Sequence, residues 1–70
     1  MGRIQIDCSA DEIKFILEQY IHNTQDRYVM FIYLAHYPGS LERLAEECDL
    51  SVSTVKRIIN RNSGIYKRLP

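Results

Sequence analysis

Residues 41–60 read LERLAEECDLSVSTVKRIIN, and this stretch indicates two short amphipathic helices joined by a tight turn. In the first helix, apolar residues recur at the i, i+3, i+4 and i+7 spacing of one helix face, namely Leu41, Leu44, Ala45 and Cys48. In the second helix, from Val52 to about Arg61, the apolar stripe consists of Val52, Val55, Ile58 and Ile59. Between them, Asp49 tolerates the left-handed backbone conformation of a sharp turn, and Ser51 is a good N-cap for the second helix.

Charge is distributed unevenly along the chain, although the formal net charge is zero. Residues 51–70 contain five Lys or Arg and no acid, whereas residues 1–38 contain three Lys or Arg and five acids. Phosphate binding responds to the charge on the docking face rather than to the total charge. The zero net charge therefore does not exclude a nucleic-acid partner for the C-terminal third.

The register of residues 41–60 resembles the bacterial helix-turn-helix family. That family has a small residue at the fifth position, a turn residue at the ninth, and apolar residues at the fourth, eighth, tenth, fifteenth and eighteenth. Counted from Leu41, these positions are Leu44, Ala45, Cys48, Asp49, Leu50, Val55 and Ile58. Residues 50–57, LSVSTVKR, are similar to the start of the recognition helix in sigma-factor region 4. Extended through residues 60–62, the segment is also similar to the DNA-reading helix of lactose-repressor-type regulators.

The resemblance implies a prokaryotic or phage transcriptional regulator whose second helix enters the major groove of double-stranded DNA, N-terminus first. The residues that match DNA-facing positions of the family are Ser51, Val52, Ser53, Lys56, Arg57 and Asn60. By residue type, Lys56 or Arg57 suits guanine and Asn60 suits adenine or a phosphate. Ser53, Thr54 and Arg61 suit contacts with the DNA backbone.

One departure from the family concerns the turn, where the family most often has Gly and this chain has Asp49. An Asp in left-handed conformation costs about 1 kcal/mol relative to Gly, so the turn stays feasible. Two alternative functions remain open at this point. The same helix pair can serve as a protein-interaction or dimerisation module, and the chain can be the DNA-binding fragment of a larger regulator.

The segment before residue 41 predicts two further helices. Ser9 and Glu12 form a capping box that starts a helix over residues 10–22. Residues 28–35 are apolar on every side, which predicts a buried helix over residues 25–37 capped by Thr24, with a strand as the alternative by residue type. Such an apolar helix either packs wholly within this chain or forms a homodimer. We expect the dimer interface, if there is one, at Tyr28, Phe31 and Ile32.

The expected fold is therefore all-α, a single domain over residues 1–70. Its helix-turn-helix unit, residues 41–60, belongs to a small three- to four-helix bundle, and residues 1–38 supply supporting or dimerisation helices. Residues 2–8 suit a short strand or an arm. Gly64 is expected to end the last helix with a positive φ. Residues 65–69 suit half a wing, a strand paired with residues 4–6, or the lead into another domain.

Other functions find little support in the sequence. Its Ser, His and acidic residues match no nucleophile elbow, phosphate loop or metal-binding helix motif, so we expect no enzyme, no catalytic residue and no cofactor. The Cys and His residues lack metal-site spacing. No apolar run approaches the roughly 18 residues of a membrane span, and the N-terminus is unlike a signal peptide, so we expect a cytoplasmic protein. The tyrosines suit the core and its rim, with Tyr66 kept open for base stacking.

Overall fold

The computed structural model describes residues 9–37 and 39–68, and within these ranges the chain is helical and contains no strand. The four α-helices are α1 (Ala10–Tyr20), α2 (Thr24–Phe31), α3 (Leu41–Cys48) and α4 (Val52–Arg61). A π-helical segment, Ile32–His36, continues α2, and a 3₁₀ helix, Ser63–Arg68, follows α4. The all-α fold expected from the sequence is thus confirmed for the described ranges.

Every α-helix begins at a side-chain cap. At α1 the Ser9 amide donates to Glu12 Oε1 at 2.9 Å and the Glu12 amide donates to Ser9 Oγ at 3.2 Å, which is the predicted capping box. The hydroxyls of Ser40 and Ser51 accept from backbone amides three residues later, at 3.1 and 3.2 Å. The predicted bounds of α3 and α4 are confirmed. Each helix starts where the sequence predicts, because the cap hydrogen bond satisfies an amide that a helix N-terminus leaves unpaired.

The cap of α2 is Asn23 rather than the predicted Thr24. The Asn23 side chain accepts from the Asp26 amide at 2.9 Å, and Thr24 is already the first helical residue. The prediction for α1 was too long by two residues, since the helix ends at Tyr20. Ile21 instead adopts an extended backbone, φ −124° and ψ 115°, and its side chain is buried.

The long second helix predicted over residues 25–37 changes its winding at Ile32. Up to Phe31 it is α-helical, and from Ile32 to His36 it is π-helical, with i→i+5 hydrogen bonding. Ile32 and Leu34 are both buried although they are only two residues apart. The helical prediction was therefore right and the strand alternative wrong, but the sequence did not reveal the wider turn.

The core forms around α2, which contacts α1, α3 and α4. Its Val29 and Met30 are completely buried, as the apolar run predicted. All-round burial was wrong for Tyr28, whose side chain is exposed. The other helices contribute the buried residues Ile13, Leu17, Leu44, Ala45, Val55 and Ile58. Burying one aliphatic side chain of this size contributes about 1.5–3 kcal/mol, so these contacts hold α4 on the bundle.

The turn between α3 and α4 is a Schellman motif with Asp49 in the left-handed conformation, φ 58° and ψ 44°. The Leu50 amide donates to the Ala45 carbonyl at 2.9 Å, and the Asp49 amide donates to the Glu46 carbonyl at 3.2 Å. These two bonds satisfy carbonyls that the helix end leaves free. The predicted left-handed residue at the turn is confirmed.

The C-terminal prediction was wrong in two respects. Helix α4 ends at Arg61 and is capped by Asn62, whose side-chain amide donates to the Ile58 carbonyl at 2.8 Å, so no glycine exit is required. Of the two glycines that the structure describes, Gly39 has a positive φ of 100° and Gly64 does not. Over residues 65–68 the chain is 3₁₀-helical, not a strand or wing. The strand or arm predicted at residues 2–8, and residue 69, lie outside the described residues.

Replacing Asp49 by Gly is expected to stabilise the protein, because Gly adopts the left-handed conformation without the cost of a Cβ atom. We expect the free energy of unfolding in urea to rise by about 1 kcal/mol. Asp49→Asn is the control, since it removes the charge and keeps the Cβ atom, and it should give a clearly smaller gain. Equal stability of the Gly and Asn variants would show that Asp49 is unstrained.

Candidate nucleic-acid interface

Helix α4 exposes one polar face because its opposite face is anchored in the core. Val55 and Ile58 are buried, at 0 and 1% exposure. Ser53, Lys56, Arg57 and Asn60 are all exposed. Their i, i+3, i+4 and i+7 spacing places these four side chains on one face of the helix. We call this set the α4 outer face.

The two cations of the α4 outer face are not neutralised within the described part of the chain. Its ion pairs join Arg43 to Glu47, at 3.5 Å, and Arg61 to Asp26, at 2.8 Å, so neither Lys56 nor Arg57 has a described carboxylate partner. Cations without an intramolecular partner are well suited to displacing counterions from phosphates. The α4 outer face thus has the electrostatics that a phosphate-rich ligand requires.

Helix α3 has the opposite charge. Glu42, Glu46 and Glu47 are exposed on it, and its one cation, Arg43, is paired with Glu47. Positive surface charge of the C-terminal half is therefore concentrated on α4 and on the 3₁₀ helix. An anionic partner would be attracted to α4 and repelled by the exposed side of α3.

Three of the sequence-predicted DNA contacts are at the beginning of α4 and are partly used within the protein. Ser51 is the N-cap, and its Oγ also lies 2.9 Å from Thr54 Oγ1 in a hydrogen bond. Val52 and Thr54 are half-buried. Among the hydroxyl residues of this turn, Ser53 is exposed and forms neither of these bonds. These contacts make Ser51 and Thr54 structural residues of the helix start.

Arg61, another predicted DNA contact, is bound to a residue that the sequence analysis missed. Its Nε donates to Asp26 Oδ2 at 2.9 Å and its Nη2 donates to Asp26 Oδ1 at 2.8 Å. Asn62 Nδ2 also donates to Asp26 Oδ2, at 3.0 Å. Asp26 itself is buried, with 5% exposure, while the Arg61 side chain remains 51% exposed. This Asp26 cluster ties the end of α4 to the start of α2.

The cluster shifts the protonation equilibria of both charged partners. The hydrogen bond from Arg61 lowers the pKa of Asp26 below its ordinary value; burial opposes this effect and the Asn62 hydrogen bond adds to it. The same bond raises the pKa of Arg61. Because 35 residues separate Asp26 from Arg61, no local sequence pattern indicates that they form a pair.

The residues predicted for a dimer interface differ in accessibility. Tyr28 is 53% exposed and Phe31 is half-buried, but Ile32 lies in the core at 7% exposure. Ile32 therefore offers almost no surface to a second copy, which corrects that part of the prediction. Tyr28 and Phe31 line, with Leu17, a groove of about 510 Å³ between α1 and α2.

Tyr66 does not offer a free ring for base stacking. It is half-buried, and burial together with a hydrogen bond to Tyr33 raises its pKa. Cys48 is half-buried as well, and burial raises the pKa of its thiol. Within residues 9–37 and 39–68, the Cys, His and acidic side chains form no group of three that could hold a metal ion. No helix of these ranges has the length and apolarity to span a membrane.

No family model, curated protein or solved structure matches this chain.

Asp26→Asn is expected to lower the free energy of unfolding at neutral pH by about 2 kcal/mol, because Arg61 and Asn62 lose a buried carboxylate partner. The native pKa lies below the ordinary 3.8, so the stabilisation is complete above that value and is lost as the pH falls through the native pKa. Urea unfolding followed by circular dichroism should show the stabilities of the two proteins converging as the pH falls below 3.8. A difference in the free energy of unfolding that stays constant across this pH range would contradict a stabilising role of the ionised Asp26 carboxylate.

Proposed function

We propose that this protein is a sequence-specific DNA-binding transcriptional regulator of the helix-turn-helix type, acting in the cytoplasm of a prokaryote or on phage DNA. In this proposal α3 and α4 form the helix-turn-helix unit, and α4 enters the major groove. The observation that supports it most is the exposure of Lys56 and Arg57, without described acidic partners, on the helix face opposite the buried one.

Each residue of the α4 outer face has a chemical role in this proposal. Arg57 and Lys56 donate to guanine O6 and N7, and Asn60 addresses adenine or a phosphate. Ser53 donates to a phosphate near the start of α4. Ser51 and Thr54 act indirectly, because their mutual hydrogen bond holds the helix start that presents Ser53.

The acidic side of α3 restricts how the protein approaches DNA. In this fold family the first helix of the pair crosses the DNA backbone. Exposed Glu42, Glu46 and Glu47 would be repelled by phosphates there, so the proposed docking keeps these three side chains away from the duplex. The amides at the start of α3, beside Ser40, are the part of that helix best suited to a phosphate.

Arg57→Ala and Lys56→Ala are expected to weaken duplex binding by about tenfold each, the loss of one good contact to a base or phosphate. The matched control is Lys67→Ala, which removes one exposed cation from the 3₁₀ helix and should change affinity by about twofold at most. Fluorescence anisotropy with duplexes selected from a random-site library, at two salt concentrations, measures both effects. A titration that is flat at low salt, or equal losses for all three variants, would contradict the proposal.

Useful affinity needs more than one helix, because a single α4 reaches few base edges. We propose that a second copy binds at the groove between α1 and α2. Its floor includes Leu17, Tyr28 and Phe31, which are apolar or aromatic. Its rim carries two acids and two bases, Asp11, Glu18, Lys14 and Arg27. Such a rim is complementary in charge to a second copy of itself, as a two-fold interface requires.

Tyr28→Glu is expected to convert a dimer into a monomer, because it places a charge in the apolar floor of the groove. Tyr28 is exposed in the single chain, so the variant should still fold. Phe15→Glu is the control, since Phe15 is also exposed, at 61%, and does not line the groove. Sedimentation equilibrium at high micromolar concentration distinguishes them, and a monomeric wild-type protein would exclude this dimer.

The groove also supports a second candidate function, that of a protein-interaction module. In that case the α1–α2 groove is the working surface, and Arg57→Ala leaves partner binding unchanged. Self-association that depends on Tyr28, combined with no duplex binding at low salt, would favour this function over DNA recognition.

A further inference from the structure

A pocket of about 250 Å³ lies beside the C-terminal end of α4. Arg61 and Asn62 line it from that helix end, Gly64 and Arg68 line it from the 3₁₀ helix, and Tyr20 lines it from α1. Among the described residues, two arginines are the only charged ones that line it, and no described carboxylate forms part of its wall. A concave site lined in this part of the chain by two cations and a side-chain amide is suited to an anion.

Both arginines are held in place by neighbouring side chains. Arg61 uses Nε and Nη2 for Asp26, which leaves the two N–H groups of Nη1 and one of Nη2 for another acceptor. The Arg68 guanidinium lies 4.8 Å from the centre of the Tyr20 ring, a cation–π contact that does not itself occupy its N–H groups. Donors fixed in advance lose less conformational entropy when a ligand binds.

Asp26 lies behind Arg61 with respect to the pocket. It is 5% exposed and does not line the pocket, whereas the Arg61 side chain does and is half exposed. An anion in the pocket is therefore nearer to the guanidinium than to the carboxylate, and the Coulomb attraction exceeds the repulsion because both fall with distance. Asp26 therefore orients Arg61 without blocking the pocket.

We propose that this pocket binds a phosphate group, supplied by the backbone of the duplex that α4 reads, with Asp26 as the positioning residue for Arg61. The source of the phosphate rests on the proposed function, whereas the anion chemistry of the pocket does not. Arginine forks match the oxygens of a phosphate. Arg61 is the last residue of α4, so the pocket provides a backbone contact at the opposite end of the recognition helix from Ser53.

The test compares two neighbouring cations of the same 3₁₀ helix. Arg68 lines the pocket, and Lys67 is exposed and does not. Arg68→Ala should weaken binding to the selected duplex about tenfold and lower the slope of log affinity against log salt by about one. Lys67→Ala removes the same charge and should change affinity by about twofold at most. Equal effects of the two variants would overturn the pocket while leaving the proposed function standing.

The direction in which Asp26→Asn changes duplex affinity tests whether Asp26 positions Arg61. Removal of an acid should strengthen DNA binding if only charge matters. If Asp26 positions Arg61, the variant should instead bind the duplex about threefold to tenfold more weakly, because the guanidinium loses its fixed orientation. Circular dichroism ensures that the comparison is made on folded protein, and Arg61→Gln gives the same expected loss if Asp26→Asn does not fold. Tighter binding by Asp26→Asn, or wild-type affinity for Arg61→Gln, would overturn the positioning role.

A titration with inorganic phosphate tests whether the anion site exists, independently of whether DNA supplies the phosphate. A titration of the full chain, followed by the Asn62 and Gly64 amide signals in NMR, should show saturable shifts that Arg68→Ala abolishes. If the wild-type protein fails to bind a duplex but shows these shifts, the proposed function fails and the pocket remains as a site for free phosphate. If neither ligand shifts the two signals, the pocket is not an anion site.

Discussion

The one-sided burial of α4 is the constraint on which the rest of this structure depends. Val55 and Ile58 are buried, and α4 contacts α2 and α3, so one face of the helix is anchored in the core. A helix fixed on one side must present its other side to solvent, because its side chains project all round the axis. The exposure of Lys56 and Arg57 is therefore a consequence of core packing, and the proposed DNA reading follows from it.

The Asp26 cluster adds a second constraint, on the end of the same helix. A buried carboxylate is costly unless it is paired and hydrogen-bonded, and Arg61 with Asn62 supplies both conditions. The cluster also shows that one arginine can have two uses. Its Nε and one Nη2 hydrogen bind Asp26, and the same residue lines a pocket where a second arginine contacts the Tyr20 ring.

Neighbouring helices carry opposite surface charge, so the molecule has an acidic side and a basic side. The exposed side of α3 is acidic, whereas α4 and the 3₁₀ helix are basic, so a polyanion is attracted to one side of the pair only. A helical fold of this kind is compatible with DNA binding and with protein binding, since fold does not determine function. The distribution of exposed charge favours DNA, and the α1–α2 groove favours a second copy of the chain.

The sequence by itself determined the features that arise from neighbours three or four residues apart. Ser9 with Glu12, Ser40 and Ser51 form their cap hydrogen bonds within one turn, so the starts of α1, α3 and α4 and the bounds of α3 and α4 were readable. The left-handed Asp49 and the apolar stripe of α4 are local in the same sense. Local interactions have few geometric solutions, which is why composition and spacing suffice.

Only the tertiary structure decided which distant groups meet. The pairing of Asp26 with Arg61, the contact of Arg68 with Tyr20, and the burial of Ile32 beside an exposed Tyr28 depend on how the helices pack. Likewise, no sequence pattern described above indicated the π-helical winding after Phe31 or the 3₁₀ helix after Asn62. The reason is that such contacts join residues far apart in sequence, whose distance is fixed by the whole core rather than by any local preference.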